Sequence, residues 1–461
     1  MNAAAPARPR EARRRRLAAA LFVLLFAVSQ ALAWAAYYAW GAKRLIGDEA
    51  TYQDTALAIL AGGAWMPSTI WPPLQPLLLA ATYAIAGAHV LAAQLVQTLL
   101  FLLCGALLRD LWRRLGGSVA AANMAAALFL LNPATASYAL WLWPEIVHLA
   151  LLLAALCLLA RAASSLRAFA AGACVGLAIL AKSLLSAFWP VLLLMFWRRR
   201  KPYLAWRPAA LFVIALGLVT APALLHGWRE YGRPMIADSS VYNLWVGLTD
   251  RWRSDYVQDM GGATLPEFLA SGATPPQRNA AYLDKVRGLV AERGLAGVLV
   301  DQLERQYFRL FSAKTLLVSQ LPGPACAGHL SVYRTPPWLT RTLTAANDVL
   351  HALVLAAAAF GLACWRRRPD RLALVAALFL AYQLALFALI HVKARFLLPM
   401  LPFLCGFAGS FLAALRARRL DAGHLEAIAL TPPRLVLGAA LAALLLFLAF
   451  AGPWLDGLCA A

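Results

Sequence analysis

Gly47-Asp48-Glu49-Ala50-Thr51-Tyr52 is an acidic stretch that follows the first apolar run of the chain, which begins near Leu17, and Asp54 comes close behind it. Ionised carboxylates at the end of a membrane helix cost free energy unless they face water, a cation or a substrate. Only 21 of the 461 residues are acidic, so three within seven positions need an explanation. The stretch indicates either a functional carboxylate site at a membrane surface or a solvated turn that anchors the first helix.

The composition indicates a polytopic α-helical membrane protein. The hydrophobic fraction is 62% and the charged fraction 14%, and many segments are apolar over the length that crosses a bilayer. The net charge of +21 comes largely from arginine clusters between apolar runs, which the positive-inside bias explains without nucleic acid. The seven cysteines are scattered without a CxxC motif and are predicted to be buried thiols rather than disulfides or metal ligands.

The apolar pattern and the basic loops predict about eleven transmembrane helices. We place them near 17–40, 90–108, 119–131, 146–160, 169–181, 184–197, 208–226, 345–364, 372–390, 396–415 and 435–450. Arg13 to Arg16 hold the start of the first helix in the cytoplasm, so the acidic stretch lies outside. The run 77–86 is too short to span, and a crossing there would invert the later basic loops, so it is predicted to be interfacial or re-entrant. By the same charge argument, 169–181 and 184–197 form a hairpin with Lys182 at its external turn.

Four regions follow from this topology. Residues 1–16 are a basic cytoplasmic N-terminus, and 17–227 are a transmembrane module whose large first external loop covers 41–89. Residues 228–343 are a larger external loop domain, in which 280–311 is mostly helical, and 344–461 are C-terminal transmembrane helices. The chain has no nucleotide-binding glycine-rich loop and no repeat of two halves as in many transporters.

The predicted topology collects the unusual polar residues on the external side, namely Asp48, Glu49, Glu145, Lys182, His391, Lys393 and Arg395. Each has a plain structural alternative: Glu145 suits the positive end of a helix dipole, and Lys182 can extend to the interface. The three basic residues at 391–395 break the positive-inside trend, which favours binding of a lipid phosphate. No carboxylate near Arg395 in the sequence offers itself as a partner.

A carboxylate and a cation cluster at one membrane surface suit glycosyl transfer from a polyprenyl phosphate. An acceptor hydroxyl or amine attacks the anomeric carbon, the carboxylate takes the acceptor's proton, and the lipid phosphate leaves. The cations stabilise the charge that grows on the phosphate, and a single displacement inverts the anomeric centre.

Five stretches in order resemble the GT-C fold glycosyltransferases, and more narrowly glycosyltransferase family 39, the protein O-mannosyltransferase and aminoarabinose transferase branch. The stretches are Ile46–Tyr52 with Ala58–Gly63, Trp71–Leu74, Gly172–Lys182, Gly232–Gly247 and Arg395–Pro402. The chain departs from the family at Phe396, where Tyr is usual, and it has no carboxylate two residues before Arg395. Glu145 stands where relatives often have Asp.

The resemblance implies roles for individual residues. Asp48 is the catalytic base, and Glu49 is an assisting or acceptor-binding carboxylate. The resemblance assigns donor-phosphate binding to Lys182 and Arg395. The external basic cluster adds Lys393 and His391 to that role, and Tyr52 and Glu145 are predicted to bind the acceptor or the sugar. No cofactor is implied, and the absence of an Asp-x-Asp-like motif favours metal independence.

The sequence therefore predicts an inverting glycosyltransferase that uses a polyprenyl-phosphate sugar at the external, periplasmic face of a bacterial inner membrane. The bacterial assignment rests on the alanine- and arginine-rich composition. The acceptor is a lipid, a glycan or a protein, and protein is disfavoured because the chain has no room for the extra carbohydrate-binding domain of the protein-mannosylating relatives. The alternatives are a polytopic transporter or lipid flippase, and a non-catalytic member of the fold.

Overall fold

The protein is an all-α chain in the computed structural model, as predicted. The structure describes residues 9–38, 45, 47–66, 70–161, 164–198, 203–254, 260–314, 316–319, 321, 335–366, 370–419 and 428–460. The first eight residues and parts of the predicted basic loops, including 199–202, 367–369 and 420–427, lie outside the described residues.

Eighteen α-helices are described along the chain. They are α1 (Pro9–Tyr38), α2 (Asp48–Leu60), α3 (Leu74–Ala86), α4 (Val90–Arg114), α5 (Val119–Leu130), α6 (Pro133–Ser137), α7 (Glu145–Leu159), α8 (Ser165–Ala181), α9 (Trp206–Tyr231), α10 (Ser239–Thr249), α11 (Met260–Ala270), α12 (Pro275–Phe311), α13 (Leu316–Ser319), α14 (Pro337–Ala363), α15 (Arg371–Phe387), α16 (Leu401–Arg419), α17 (Pro432–Phe450) and α18 (Gly452–Ala460). The described residues also include three 3₁₀ segments, Ser183–Leu185, Trp189–Phe196 and Ala394–Leu397. The strands β1 (Trp197–Arg198) and β2 (Tyr203–Leu204) form a two-residue antiparallel ladder.

Five helices in the described part of the chain are long and apolar enough to cross a membrane, within α1, α4, α9, α14 and α17. Six shorter apolar helices accompany them, within α3, α5, α7, α8, α15 and α16. The protein is therefore a multi-pass membrane protein. The predicted count of about eleven spans stays a prediction, because the stretch predicted as a span at 184–197 is largely 3₁₀ helix.

The predicted interruption at Lys182 is present. α8 ends at Ala181, and Lys182 takes an extended backbone conformation with φ −148° and ψ 124°. A continuous helix through 169–197 is thereby excluded, and the Lys182 side chain is placed at the end of α8 rather than on its side.

α7 is the centre of the helical core. Twelve of its fifteen residues are buried, and it packs between α4 and α8. Around it, α8 packs on α9, α5 on α16, and α14 on α16 and α17. Because α7 is surrounded by other helices, Glu145 at its first position is held inside the protein rather than at a free surface.

The loop between α9 and α14, which contains α10 to α13, is held by buried ion pairs. Arg278 contacts Asp238 at 2.8 Å, and Arg309 contacts Asp250 at 2.5 Å. α12 contains a break at Gly294, where φ is 72°. α10 and α12 pack together, and α12 also packs against the 3₁₀ turn Ala394–Leu397 and against α17. This part of the chain is therefore in direct contact with the segment that carries Arg395.

Candidate active site

The acidic stretch forms the first turn of α2. Gly47 precedes the helix with φ 56°, a backbone conformation that side chains other than glycine rarely adopt, and Asp48 and Glu49 follow as the first two helical residues. Carboxylates in a first helical turn are stabilised by the positive end of the helix dipole. The local sequence thus fixes both where α2 begins and which residues stand at its start.

Four side chains predicted from the sequence meet in one chain of alternating charge. Arg395 Nη2 donates to Asp48 Oδ2 at 2.6 Å, and Arg395 Nε lies 3.4 Å from Glu145 Oε1. Lys182 Nζ donates to the same Glu145 oxygen at 3.1 Å. The four residues come from the start of α2, the start of α7, the end of α8 and the turn before α16, so only the fold brings them together.

Our expectation that Arg395 has no carboxylate to pair with is wrong. The partners could not be recognised from the sequence, because Asp48 lies 347 residues away along the chain. Arg395 instead contacts two carboxylates, and its side chain is only 13% exposed. Any role in phosphate binding must therefore be compatible with these ion pairs.

Aromatic rings line both cations. The Arg395 guanidinium carbon lies 4.2 Å from the centre of the Trp143 ring and 5.8 Å from that of Phe396. Lys182 Nζ lies 4.4 Å from the centre of the Phe396 ring. Trp143 in turn stacks on Trp141, with ring centres 4.5 Å apart. Cation–π contacts of this kind favour the charged forms and restrict the side chains to one orientation.

The charges of the site act on the Asp48 carboxyl. Burial by itself raises its pKa, but the positive charge of Arg395, with further contributions from Lys393 and Lys182, holds the pKa below the ordinary value. Burial likewise lowers the pKa of Lys182, against the opposing effect of Glu145. Asp48 is therefore ionised at neutral pH, as a general base must be, while its proton affinity is kept low.

Glu49 does not face the same space as Asp48. It is fully buried, and its Oε1 accepts the backbone N–H of Leu142 at 3.2 Å. The implied role as an assisting or acceptor-binding carboxylate is not supported by this environment, because adjacent helical residues point about 100° apart. Glu49 instead holds the segment that leads into Trp143 and Glu145.

Three buried glutamines hold the same segment, and the sequence analysis did not identify them. Gln75 donates to Leu142 O at 3.0 Å, Gln94 to Leu140 O at 2.8 Å, and Gln97 to Trp141 O at 2.9 Å. The stretch between α6 and α7 leaves its carbonyls without helical partners, and these amides satisfy them. A sequence signal for them existed: an amide side chain inside an apolar helix is costly to bury unless it has a hydrogen-bond partner.

We expect Glu49→Gln to keep most of the transfer activity and Glu49→Ala to lose it. Gln keeps an acceptor oxygen for the Leu142 N–H, whereas Ala leaves that buried donor unsatisfied at a cost of about 1–3 kcal/mol. The measurement is the turnover and the thermal stability of the two purified variants. Equal loss of activity in both variants, with stability retained, would show that the Glu49 charge itself takes part in the reaction.

The α9–α14 loop holds the segment before Arg395 from the other side. Asn243 O accepts the backbone N–H of His391 at 2.8 Å, and Gln302 donates to Gly247 O at 2.7 Å. A Cβ atom at Gly247 would lie 2.7 Å from the backbone of His391 and of Ile390. Only glycine allows α10 to lie this close to the segment.

We therefore expect Gly247→Ala to lower transfer activity by displacing the backbone that leads to Arg395. The contact is with main-chain atoms, so no side-chain rotation relieves it. Gly288→Ala is the matched control, since that helical glycine lies in α12 of the same loop and a Cβ atom added there would have no other atom within 4 Å. Turnover that falls equally in both variants would argue against this contact as the cause.

The remaining predicted residues lie at the edge of this site. Tyr52 is buried on α2 and borders an aromatic pocket of about 10 Å³, the size of one water molecule, so a sugar does not fit there as the side chains stand. Burial, reinforced by the charges of Asp48 and Glu145, raises the pKa of Tyr52 well above its ordinary value. His391 is buried, and Lys393 is half-buried and acts on Asp48 through its charge.

Within the described residues, no group of three or more His, Cys, Asp or Glu side chains is placed to hold a metal ion.

Comparison with known proteins agrees with the class that the fold and site indicate. Residues 326–452, which include Arg395, match the model of the Alg9-like mannosyltransferase family. Over this part of the chain, the match agrees with the class predicted from the sequence, a GT-C-type glycosyltransferase. The narrower likeness to family 39 stays a resemblance. No curated protein sequence matches the chain significantly.

Solved structures similar to this chain include two of ArnT from Cupriavidus metallidurans. The apo structure is 18% identical and covers 86% of this chain and 77% of its own, with a TM-score of 0.39. The structure bound to undecaprenyl phosphate is 17% identical and covers 87% of this chain and 78% of its own, also with a TM-score of 0.39. Similarity at this level carries no argument about substrates.

Proposed function

We propose that the protein transfers a sugar from a polyprenyl-phosphate donor to a lipid or glycan acceptor, with Asp48 as the general base. The single observation that carries the proposal is the contact of Asp48 with Arg395, next to Glu145 and Lys182. A carboxylate that is ionised and a cation that can contact phosphate stand within hydrogen-bond distance of each other. A base and a phosphate-binding cation in one site are what a single displacement requires, because the acceptor proton is removed and the phosphate departs in the same step.

The carboxylate and the cations of the site have different tasks in the proposed reaction. Asp48 takes the proton of the acceptor hydroxyl or amine as its oxygen or nitrogen bonds to the anomeric carbon. The bond between that carbon and the phosphate oxygen breaks, and the electron pair leaves with the phosphate. Arg395 and Lys182 stabilise the phosphate charge, Trp143 and Phe396 keep the two cations in place, and the anomeric centre is inverted.

Glu145 has a positioning role in this proposal. It contacts both Arg395 and Lys182 and is only 3% exposed at its side chain. Its carboxylate compensates the two buried cations, whose mutual repulsion would otherwise separate them. The sequence-based alternative for Glu145, a helix-start residue, is compatible with this role because it also stands in the first turn of α7.

We propose that the site lies at the membrane surface where these helix ends meet. We propose further that this surface is the periplasmic side of a bacterial inner membrane. The basic clusters at the opposite ends of the helices support this orientation through the positive-inside bias. The family match supports an enzyme rather than the transporter or flippase alternative.

The test combines cells and purified protein. Mass spectrometry of lipids and surface glycans from cells with and without the protein identifies the modified acceptor and its sugar. Purified protein in nanodiscs is then assayed with that acceptor and the corresponding polyprenyl-phosphate sugar. We expect transfer with inversion of the anomeric centre. Unchanged lipids and glycans, together with no transfer in vitro, would contradict the proposal.

A further inference from the structure

Four of the charges at the site balance one another. Lys182, Glu145, Arg395 and Asp48 alternate in sign along the chain of contacts, with distances of 3.1, 3.4 and 2.6 Å between neighbours. A donor phosphate adds a further negative charge to this balanced set. A phosphate that binds Arg395 or Lys182 therefore shares that cation with one of the carboxylates.

Arg395 has the least room to bind a phosphate while it keeps both of its carboxylate partners. Trp143 lies over one part of its guanidinium at 4.2 Å, and its Nε and Nη2 atoms face Glu145 and Asp48. A phosphate approaching the same guanidinium meets the negative charge of these carboxylates at close range. Coulomb repulsion at such distances is large in a partly buried site.

The two carboxylates differ in how firmly they are held. Glu145 is only 3% exposed and is also bound by Lys182. Asp48 is 27% exposed and stands at the start of α2, where the helix leaves its side chain at the surface of the site. Asp48 is therefore the partner that can move away from Arg395.

Resting on the function proposed above, we propose that the donor phosphate and Asp48 compete for Arg395, so that donor binding releases the base. With Asp48 on Arg395, the carboxylate is a weak base because a cation stabilises its ionised form. With the phosphate on Arg395, part of that stabilisation is transferred to the donor, and Asp48 gains proton affinity. Lys393 and Lys182 also act on Asp48 through their charges, and Tyr52 lies close enough to be influenced by Asp48 and Glu145.

The exchange links two events that must occur together. Asp48 becomes an effective base only when a donor is bound, so an acceptor proton is removed when an anomeric carbon is available to be attacked. The device needs no movement of a helix, because the contact that is exchanged is a single ion pair between two side chains.

The test measures the binding of polyprenyl phosphate without a sugar to the full-length protein in nanodiscs, at one pH and one salt concentration. We expect Asp48→Asn to bind this lipid roughly tenfold more tightly than the wild type, since the competing charge is removed. Asp48→Glu keeps the charge and should return the affinity towards the wild-type value. Asp54→Asn is the matched control, because it removes the same charge from an exposed position on the same helix, and it should bind as the wild type does.

The outcomes separate this inference from the proposed function. Saturable binding by the wild type, with equal or weaker binding by folded Asp48→Asn, overturns the competition and leaves the transfer reaction standing. The absence of saturable binding by the folded wild type overturns the proposed donor, and the competition with it. If Asp48→Asn does not fold, as judged by its melting temperature, Asp48→Ser removes the same charge and takes its place.

Discussion

Asp48→Asn abolishes sugar transfer while the protein remains folded in the membrane. Asn is nearly the same size as Asp and keeps an acceptor oxygen, but it cannot take a proton at neutral pH. Removal of a general base typically costs a factor of about 10²–10⁴ in rate. Arg395 keeps Glu145 as a partner in this variant, so its charge is not left alone.

The measurement for Asp48→Asn is the turnover of purified protein at saturating donor and acceptor, alongside its melting temperature. Asp54→Asn, on the exposed side of the same helix, is the control for loss of a carboxylate and should turn over normally. A solvated anchoring turn, the alternative left open by the sequence, predicts that Asp48→Asn is active. Near-normal turnover of a folded Asp48→Asn protein would remove Asp48 from the reaction.

Arg395→Ala is expected to weaken donor use by roughly 10²-fold or more, and Arg395→Lys to restore it only in part. Truncating one member of a buried charge pair costs about 2–5 kcal/mol, and here two carboxylates lose the same partner. Lys replaces the charge but not the planar fork, which contacts Asp48, approaches Glu145 and stacks on Trp143. The loss should fall mainly on the KM for the donor.

The control for Arg395 is Arg278→Lys, because Arg278 is also a buried arginine with a carboxylate partner, Asp238, but lies in the α9–α14 loop. That variant should change stability more than donor use. Donor dependence that is the same in wild type and in folded Arg395→Ala would remove Arg395 from phosphate binding. A rise in KM in Arg278→Lys as large as in Arg395→Ala would show a general effect of losing a buried arginine.

The helices of this protein could be predicted because their signals are local. Apolar runs predicted both ends of α5 and α7 to within one residue, and the polar Lys182 indicated the end of α8. The stretch 184–197, predicted as a span, is largely 3₁₀ helix. An apolar composition alone does not distinguish a transmembrane α-helix from a 3₁₀ segment packed against other helices.

The candidate site could be predicted only in part. Asp48, Glu145, Lys182 and Arg395 were each identifiable as charges at the ends of apolar runs, where the cost of burial demands a reason. The environment of Glu49 could not be predicted, because its partner is the backbone N–H of Leu142, 93 residues away along the chain. The glutamines on α3 and α4 were overlooked, because their partners are backbone carbonyls that no sequence pattern displays.

The sequence by itself determined that the chain crosses a membrane, where its apolar segments lie, and which charges stand at their ends. The length of an apolar run and the charges beside it are local properties of one segment, so they can be recognised in the sequence without knowledge of the fold. The tertiary structure decided which charges are partners. Asp48 and Arg395 are 347 residues apart and meet only because α2, α7, α8 and the turn before α16 pack at one end of the bundle. Electrostatic interactions depend on distance in space, and that distance is set by the packing of all the helices together.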